Sequence, residues 1–447
     1  MKSPPKPLDS NPYEPGRETA EPLTGPPPSR GSLAVIFLTV FIDLLGFGMV
    51  LPLLPVYAKS FGVDEHGWEI ALLMSSFSAM TFLFSPLWGR LSDRIGRRPV
   101  LIVGLVGSVG FYMLFGVATV WRSLPLLFVA RIGAGIAGAT IPAAQAYIAD
   151  VTTLANRAKG MAMIGAAFGL GFTFGPLLGA AALGIGGDAT ANQVAASPGP
   201  GYAAAGLSAV ALLMAIFLLP ESLRPGSHAA GHSFFDLRAW RDAFTTPSVP
   251  ALLATACASV VSFAAFETTL SLLLSSEDLP FRFSFRQVLL FFAFIGFMLS
   301  LAQGLLVRRL APRVGEVALC LAGGIVTITG FALLMAATRG GQLWMLLVAA
   351  AVEVTGFSLM NPSLQSLISR RSDPAKQGGI LGVSQSTSSL ARVLGPLIAV
   401  PLFYVSPPLP YGAAIGIMAL SLVIFALFGR RGVDHAAGAA VELAHDH

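Results

Sequence analysis

Residues 89–100 read GRLSDRIGRRPV. Charged residues make up 11% of the 447-residue chain, yet Arg90, Asp93, Arg94, Arg97 and Arg98 all fall within these twelve positions, with long apolar runs on both sides. Such a connector marks a chain that leaves a bilayer and at once re-enters it. Working outward from it, apolar runs long enough to cross ~30 Å of hydrocarbon lie near 33–57, 69–89, 99–118, 124–149, 160–184, 202–219, 250–275, 287–306, 316–337, 342–368, 378–405 and 411–429. The twelve runs predict an all-α membrane protein with twelve transmembrane helices.

Composition points the same way. With 54% hydrophobic and only 23 acidic residues, the chain lacks the charge that covers a soluble protein of this size. The net charge of +5 resides in short connectors rather than on one surface, so no nucleic-acid partner is expected. Cys257 and Cys320 sit inside apolar runs and no His does, which leaves neither a disulfide framework nor a metal site to build. No cofactor is expected. Nothing pairs a nucleophile with a base, so an enzyme is not expected either.

Charge also orients the chain. The N-terminal tail, the connectors after runs 2, 4, 6, 8 and 10, and the C-terminus carry 21 of the 28 Lys and Arg; the opposite connectors carry Lys59, Arg122, Arg282, Arg286 and Arg339. By the positive-inside rule both termini are expected in the cytoplasm, with the chain in the plasma (inner) membrane. Residues 1–32, with nine prolines and no apolar run, read as a disordered cytoplasmic tail. Residues 33–220 and 250–429 read as two six-helix halves, 221–249 as a cytoplasmic linker, and 430–447 as a second tail. Within the linker, FFDLRAWRDAF sets Phe234, Leu237, Trp240 and Phe244 near one helical face, with Arg238 and Asp242 on another. This reads as an interfacial helix, or as a plain flexible connection.

The halves echo each other. PAAQAYI, with Pro142, Gln145 and Ile148, returns as PSLQSLI, with Pro362, Gln365 and Ile368, at an offset of 220, and GPLL at Gly175 returns as GPLI at Gly395. Looser echoes link Gly89, Leu91 and Arg94 with Gly304, Leu306 and Arg309, and Asp43 with Glu267. Together they predict a duplicated unit.

Four groups of residues carry candidate chemistry. In the opening stretch, arginines alone would be topology anchors, but Asp93 among them can form a clasp with Asp150 as a second acid for Arg94 or Arg97. Gly89 permits close helix approach and Gly96 a tight reversal. In run 5, Gly171, Gly175 and Gly179 form a bare stripe beside Pro176, a close-packing seam or a bend about which the halves rock; Gly378, Gly382 and Ser386 repeat the spacing in run 11. Asp43, Arg131, Glu267, Glu353 and Arg392 lie within apolar runs, where an uncompensated charge costs ~2.5–3.5 kcal/mol or more. Interhelical pairing or snorkelling would satisfy some of them. Asp43 and Glu267, near the middle of the first helix of each half, are the candidates for proton or substrate coupling, since a carboxylate alternately dried and wetted exchanges protons. Arg131 is by position an equally good permanent partner for Asp43. Gln145, Asn361, Gln365 and Gln385, with Phe47, Phe263 and Phe266, suit the lining of an amphiphile-binding cavity, or simply bond neighbouring helices.

Residues 89–98 resemble the loop 2–3 signature of the major facilitator superfamily. FIDLLGFGMVLPLLP, with Asp43, Gly46, Gly48, Pro52 and Pro55, resembles the first helix of the tetracycline/proton antiporters and their eukaryotic relatives. ARIGAGIAGA, with Arg131, Gly135 and Gly138, resembles the superfamily's fourth-helix motif, and GLGFTFGPLLGA the fifth-helix motif of its exporters, with Ala180 in place of the final Gly. The second-half copy of the loop signature, GLLVRRLAPRVGE, lacks the internal acid, so a weaker clasp is expected there. The resemblance implies two six-helix halves about a central cavity, Asp93 and Arg94 as an inner gate, and Arg131 tuning the first-half acid. It implies proton-driven efflux of a small amphiphilic, tetracycline-like compound by alternating access, by a monomer in the lipid bilayer, with the proton gradient as energy source. The rival readings are a uniporter or symporter for an organic anion or nutrient, in which Arg131 and Arg392 bind the substrate's negative charge, a lipid flippase, and a membrane sensor.

Overall fold

The computed structural model describes residues 30–62, 66–152, 154–184, 197–223, 237–373, 376–430 and 434. Among the described residues, twelve helices are long and apolar enough to cross a membrane: α1 Ser32–Ser60, α2 Trp68–Ile95, α3 Arg97–Val120, α4 Leu124–Val151, α5 Met163–Ala182, α6 Gly199–Leu218, α7 Val249–Ser275, α8 Phe285–Val314, α9 Glu316–Gly340, α10 Leu343–Arg371, α11 Gly379–Val405 and α12 Leu409–Gly429. The chain is an all-α, multi-pass membrane protein. Helices α2, α8 and α10 extend several residues beyond their apolar runs, because the backbone ladder continues through polar residues until something stops it. For α2 and α8 that stop is Gly96, at φ 108°, and Gly315, at φ 82°. Each glycine closes one helix and opens the next without a connector, and neither conformation suits a residue with a Cβ.

Here α1–α6 are called the first half and α7–α12 the second. Across 141–150 and 361–370, the segments that sequence aligns at 220, exposure follows the same order at all ten positions. The glycines of α5 meet α1: a Cβ on Gly48 would lie 2.5 Å from the Gly171 carbonyl oxygen, and one on Gly175 would lie 2.8 Å from Gly48 Cα. Gly395 of α11 packs in the same way on α7, where a Cβ would come within 2.6 Å of Ala264 Cβ. The sequence spacing had pointed to Gly382 for this role in α11. A Cβ there would meet nothing within 4 Å, so that face is open and Gly395 makes the close approach.

Contacts between halves run from mid-helix to the end remote from Gly96. Tyr57 packs edge-on against Phe285 at 5.2 Å, Lys59 Nζ donates to Ser276 Oγ at 3.1 Å, and Ser75 Oγ donates to the Val393 carbonyl at 2.8 Å. Nearer the middle, Thr173 Oγ1 and Ser300 Oγ lie 3.1 Å apart.

The linker contains a helix, Leu237–Thr245. Its buried face is Ala239 and Ala243 rather than the aromatic one; Ala239 lies on α11 at Gly379, and Asp242 pairs with Lys376 at 3.2 Å. Leu237 and Phe244 are 76% and 60% exposed, with Trp240 stacked on Phe244. Phe234 and residues 1–29 fall outside the described residues, as does the C-terminal tail beyond Arg430 apart from Asp434.

Replacing Gly175 with Val forces a side chain into the α1 backbone, and overpacking of this kind costs ~1–3 kcal/mol. The purified variant should unfold at a clearly lower temperature than wild type, whereas Gly206→Ala, where nothing lies within 4 Å, should not. Equal melting of the two variants would rule out the close α1–α5 seam.

Candidate functional site

Two chambers lie side by side, each lined from both halves. The first, about 210 Å³, is bordered by Asp43, Phe47, Phe77, Gln145, Gln385 and Arg392. The second, about 270 Å³, is bordered by Phe263, Phe266, Glu267, Asn361, Gln365 and Arg392. They share Phe168 and Arg392, and joined they reach the ~300–1,000 Å³ of drug-sized sites. All seven amide and aromatic positions singled out in the sequence border one chamber or the other. Gln303 borders the second as well and was not foreseen; it lies in a turn of π-helix, Ala302–Val307. Such turns widen a helix and displace side chains, so no regular 3.6-residue period points at Gln303.

The five intramembrane charges separate into three situations. Asp43 and Glu267 line the chambers, one in each half, and neither makes an ion pair among the described residues. Asp43 Oδ1 accepts from Ser208 Oγ of α6 at 3.1 Å. Arg392 is exposed within the shared border. Arg131 and Glu353 are sealed. Arg131 is 2% exposed, its guanidinium carbon 4.7 Å from the Phe77 ring centre and 5.9 Å from that of Phe47, with Nε and Nη1 unpartnered. It is not an ion partner of Asp43: the two rings hold it by cation–π attraction behind the chamber wall. Glu353 is fully buried and lines neither chamber; its backbone sits against Gly330 in the α9–α10 seam, and neither carboxyl oxygen has a partner. Helical position within a run cannot distinguish a seam from a cavity, which is why Glu353 read like Glu267 in sequence.

At the arginine-rich end the clasp centres on Arg97, the first residue of α3. Its guanidinium bonds Asp93 Oδ1, Ser92 Oγ at 2.8 Å and Asp150 Oδ2 at 3.2 Å. Arg94 is exposed, and Asp150 turns to Arg97 instead, because Asp93 and Arg97 are an i, i+4 pair bent inward at Gly96 while Arg94 points away. Gly89 contributes its carbonyl, which accepts from Ser92 Oγ at 2.7 Å. Arg98 donates to the carbonyls of Ala215 and Ile216, at the end of α6. Glu221 was missed: its carboxylate receives the backbone N–H of Arg97 at 2.9 Å and of Arg98 at 3.2 Å, capping α3. The one signal for it was an acid immediately after run 6.

Among the described residues, every partner of Arg97, Arg98, Asp150 and Glu221 belongs to the first half or the residues just after it. The clasp ties one bundle together. A second clasp, expected to be the weaker for want of an acid inside the copied loop, takes its acid from the start of the next helix, with its charges exchanged. Glu316, the first residue of α9, receives Arg370 Nη1 at 2.8 and 2.9 Å and Ser366 Oγ at 3.1 Å, and Arg370 also pairs with Asp434. Glu316 stands 219 residues after Arg97, and Arg370 stands 220 after Asp150. Arg371 donates to the Gly429 carbonyl at the end of α12, as Arg98 does to α6.

A family model of the Major Facilitator Superfamily matches residues 36–396. The class C tetracycline resistance protein of Escherichia coli is 31% identical over 382 residues, covering 85% of this chain and 91% of that protein. Major facilitator superfamily domain-containing protein 10 of Homo sapiens is 29% identical over 441 residues, covering 86% and 90%. The crystal structure of the human organic anion transporter MFSD10 (TETRAN) superposes with a TM-score of 0.66 at 27% identity, over 89% of this chain and 100% of that one.

The two clasps should differ in strength. The Arg97 side chain is 10% exposed and that of Arg370 50%, so Arg97→Gln should cost roughly 2 kcal/mol or more through stranded acids, and Arg370→Gln under about 1 kcal/mol. Thermal unfolding of the two variants checks the order.

Proposed function

The chain belongs to the major facilitator superfamily, and from that premise we propose that it exports a small amphiphilic organic compound in exchange for protons. It is a transporter of the superfamily's fold; direction, coupling ion and substrate are what the proposal adds. The observation that carries it is the pair of unpaired carboxylates, Asp43 and Glu267, one per half, each bordering a chamber. An acid that borders water in one arrangement and is dried in another takes up and releases protons in turn. A substrate that needs the ionised form competes with the proton for it. The relatives named as tetracycline resistance proteins support export of an amphiphile.

On this reading the arginine-rich end is cytoplasmic in a plasma (inner) membrane, and the present arrangement is the inward-open one. The two clasps keep each half rigid as it rocks, so Asp93, Arg97 and Asp150 act by holding α2, α3 and α4 as a single lever, with Arg94 at its surface. Gly171, Gly175, Gly179 and Pro176 form the smooth α5 face that turns with α1. Arg131 is a sealed charge behind the chamber wall, and Glu353, enclosed without a partner, takes no part in the site. The proton gradient supplies the energy, a single copy suffices, and the cavity serves as neither an enzyme site nor a flippase groove.

The test is proton movement in vesicles containing the purified protein, followed with an internal pH dye while cationic, zwitterionic and anionic compounds are added. One class should drive proton flux, and Asp43→Asn or Glu267→Gln should reduce that flux to the level of empty vesicles. Substrate uptake that persists in both variants with unchanged proton flux would sink the exchange mechanism.

A further inference from the structure

Arg392 is the one charged side chain that borders both chambers, and it is exposed there. Among the described residues it makes no ion pair or hydrogen bond, although Asp43 borders one of its chambers and Glu267 the other. An arginine placed only to neutralise an acid would lie in contact with it, as Arg97 does with Asp93 and Asp150. One placed only for packing would be covered, as Arg131 is by Phe47 and Phe77. Arg392 is neither. It holds a planar, five-donor fork toward open space between aromatic walls. On one side Phe47 and Phe77 lie 5.0 Å apart, and on the other Phe263 stacks on Phe357 at 4.1 Å and 17°. A guanidinium so placed is suited to a carboxylate, sulfonate or enolate on a flat apolar body.

We propose that Arg392 is the anion subsite of the transported compound, which therefore carries an acidic group for Arg392 and a basic group that competes with the proton at Asp43 or Glu267. The inference rests on the exchange reading and narrows its substrate class to zwitterionic amphiphiles. A cation alone would leave Arg392 facing it with like charge. An anion alone would favour the protonated acids and so travel with protons rather than against them.

Four probes of one shape separate the charges: radiolabelled 2-naphthylalanine, its amide, its N-acetyl derivative and its N-acetyl amide. Their binding to the purified protein in lipid nanodiscs, corrected for empty discs, should rank the zwitterion first. Removing the carboxylate should weaken binding about tenfold, the scale of one charge-assisted contact. In Arg392→Gln the acid and amide should bind alike, with the amide bound no more weakly than in wild type because a like charge has been removed; in Arg392→Lys part of the preference should return. Glu267→Gln should keep the acid preference. If Arg392→Gln binds no probe, Arg392→Lys decides: amide binding with no acid preference overturns the proposal. So does equal binding of acid and amide by wild type, binding of neither, or an acid preference that survives Arg392→Gln. No gradient is used, so failure here leaves proton exchange standing, and absent proton flux leaves the anion subsite standing.

Discussion

Everything in this chain is arranged around the difficulty of placing charge in hydrocarbon. Five acidic or basic side chains stand out within the apolar runs, and they meet the problem in three ways. Asp43 and Glu267 border open chambers, Arg392 stands in the wall between them, Arg131 lies beneath two rings, and Glu353 is enclosed without a partner. The acids and the exposed arginine remain available because the chambers lie beside them. Had α1 and α7 packed against their opposite halves along their whole length, these groups would be paired or dry, and nothing could exchange with them.

The glycines make those chambers compatible with a tight fold. Within each half, α5 meets α1 and α11 meets α7 through bare backbone, so each bundle is close-packed where it touches itself. Between halves the named contacts are hydroxyl bonds, one lysine and an aromatic pair, together with one glycine approach as close as those within a half: a Cβ on Gly296 of α8 would lie 2.4 Å from the Phe172 carbonyl oxygen of α5. The two clasps tie the arginine-rich ends of the helices within each half. Their polarity is exchanged between halves, so what the duplicated architecture retains is the attraction between the first residue of one helix and the last turn of the next, whichever end carries the acid.

That exchange also explains what the sequence did and did not disclose. The twelve spans were legible because hydrocarbon thickness sets their length, and the α1–α5 seam because only Gly fits there. Gln145 and Gln365 were legible through the 220-residue echo. The second clasp was not, since a search for an acid inside the copied loop passes over Glu316, which supplies the charge from the helix beyond. Arg94 and Arg97 are equally basic, and only the reversal at Gly96 decides that Arg97 turns inward. Glu353 and Glu267 differ by which neighbour their helix face meets, a fact that one helix's periodicity does not contain.

The mixed sign of the cavity has a further consequence for how the halves are coupled. Arg392 belongs to α11, Glu267 to α7 and Asp43 to α1, so one charge of the site moves with the first half and two with the second. A ligand that touches both Asp43 and Arg392 is therefore a bridge between the two bodies. Such a ligand shifts a two-state equilibrium by its differential affinity for the two states, to which those two contacts contribute. A compound that engages one half alone has no such leverage, however tightly it is held.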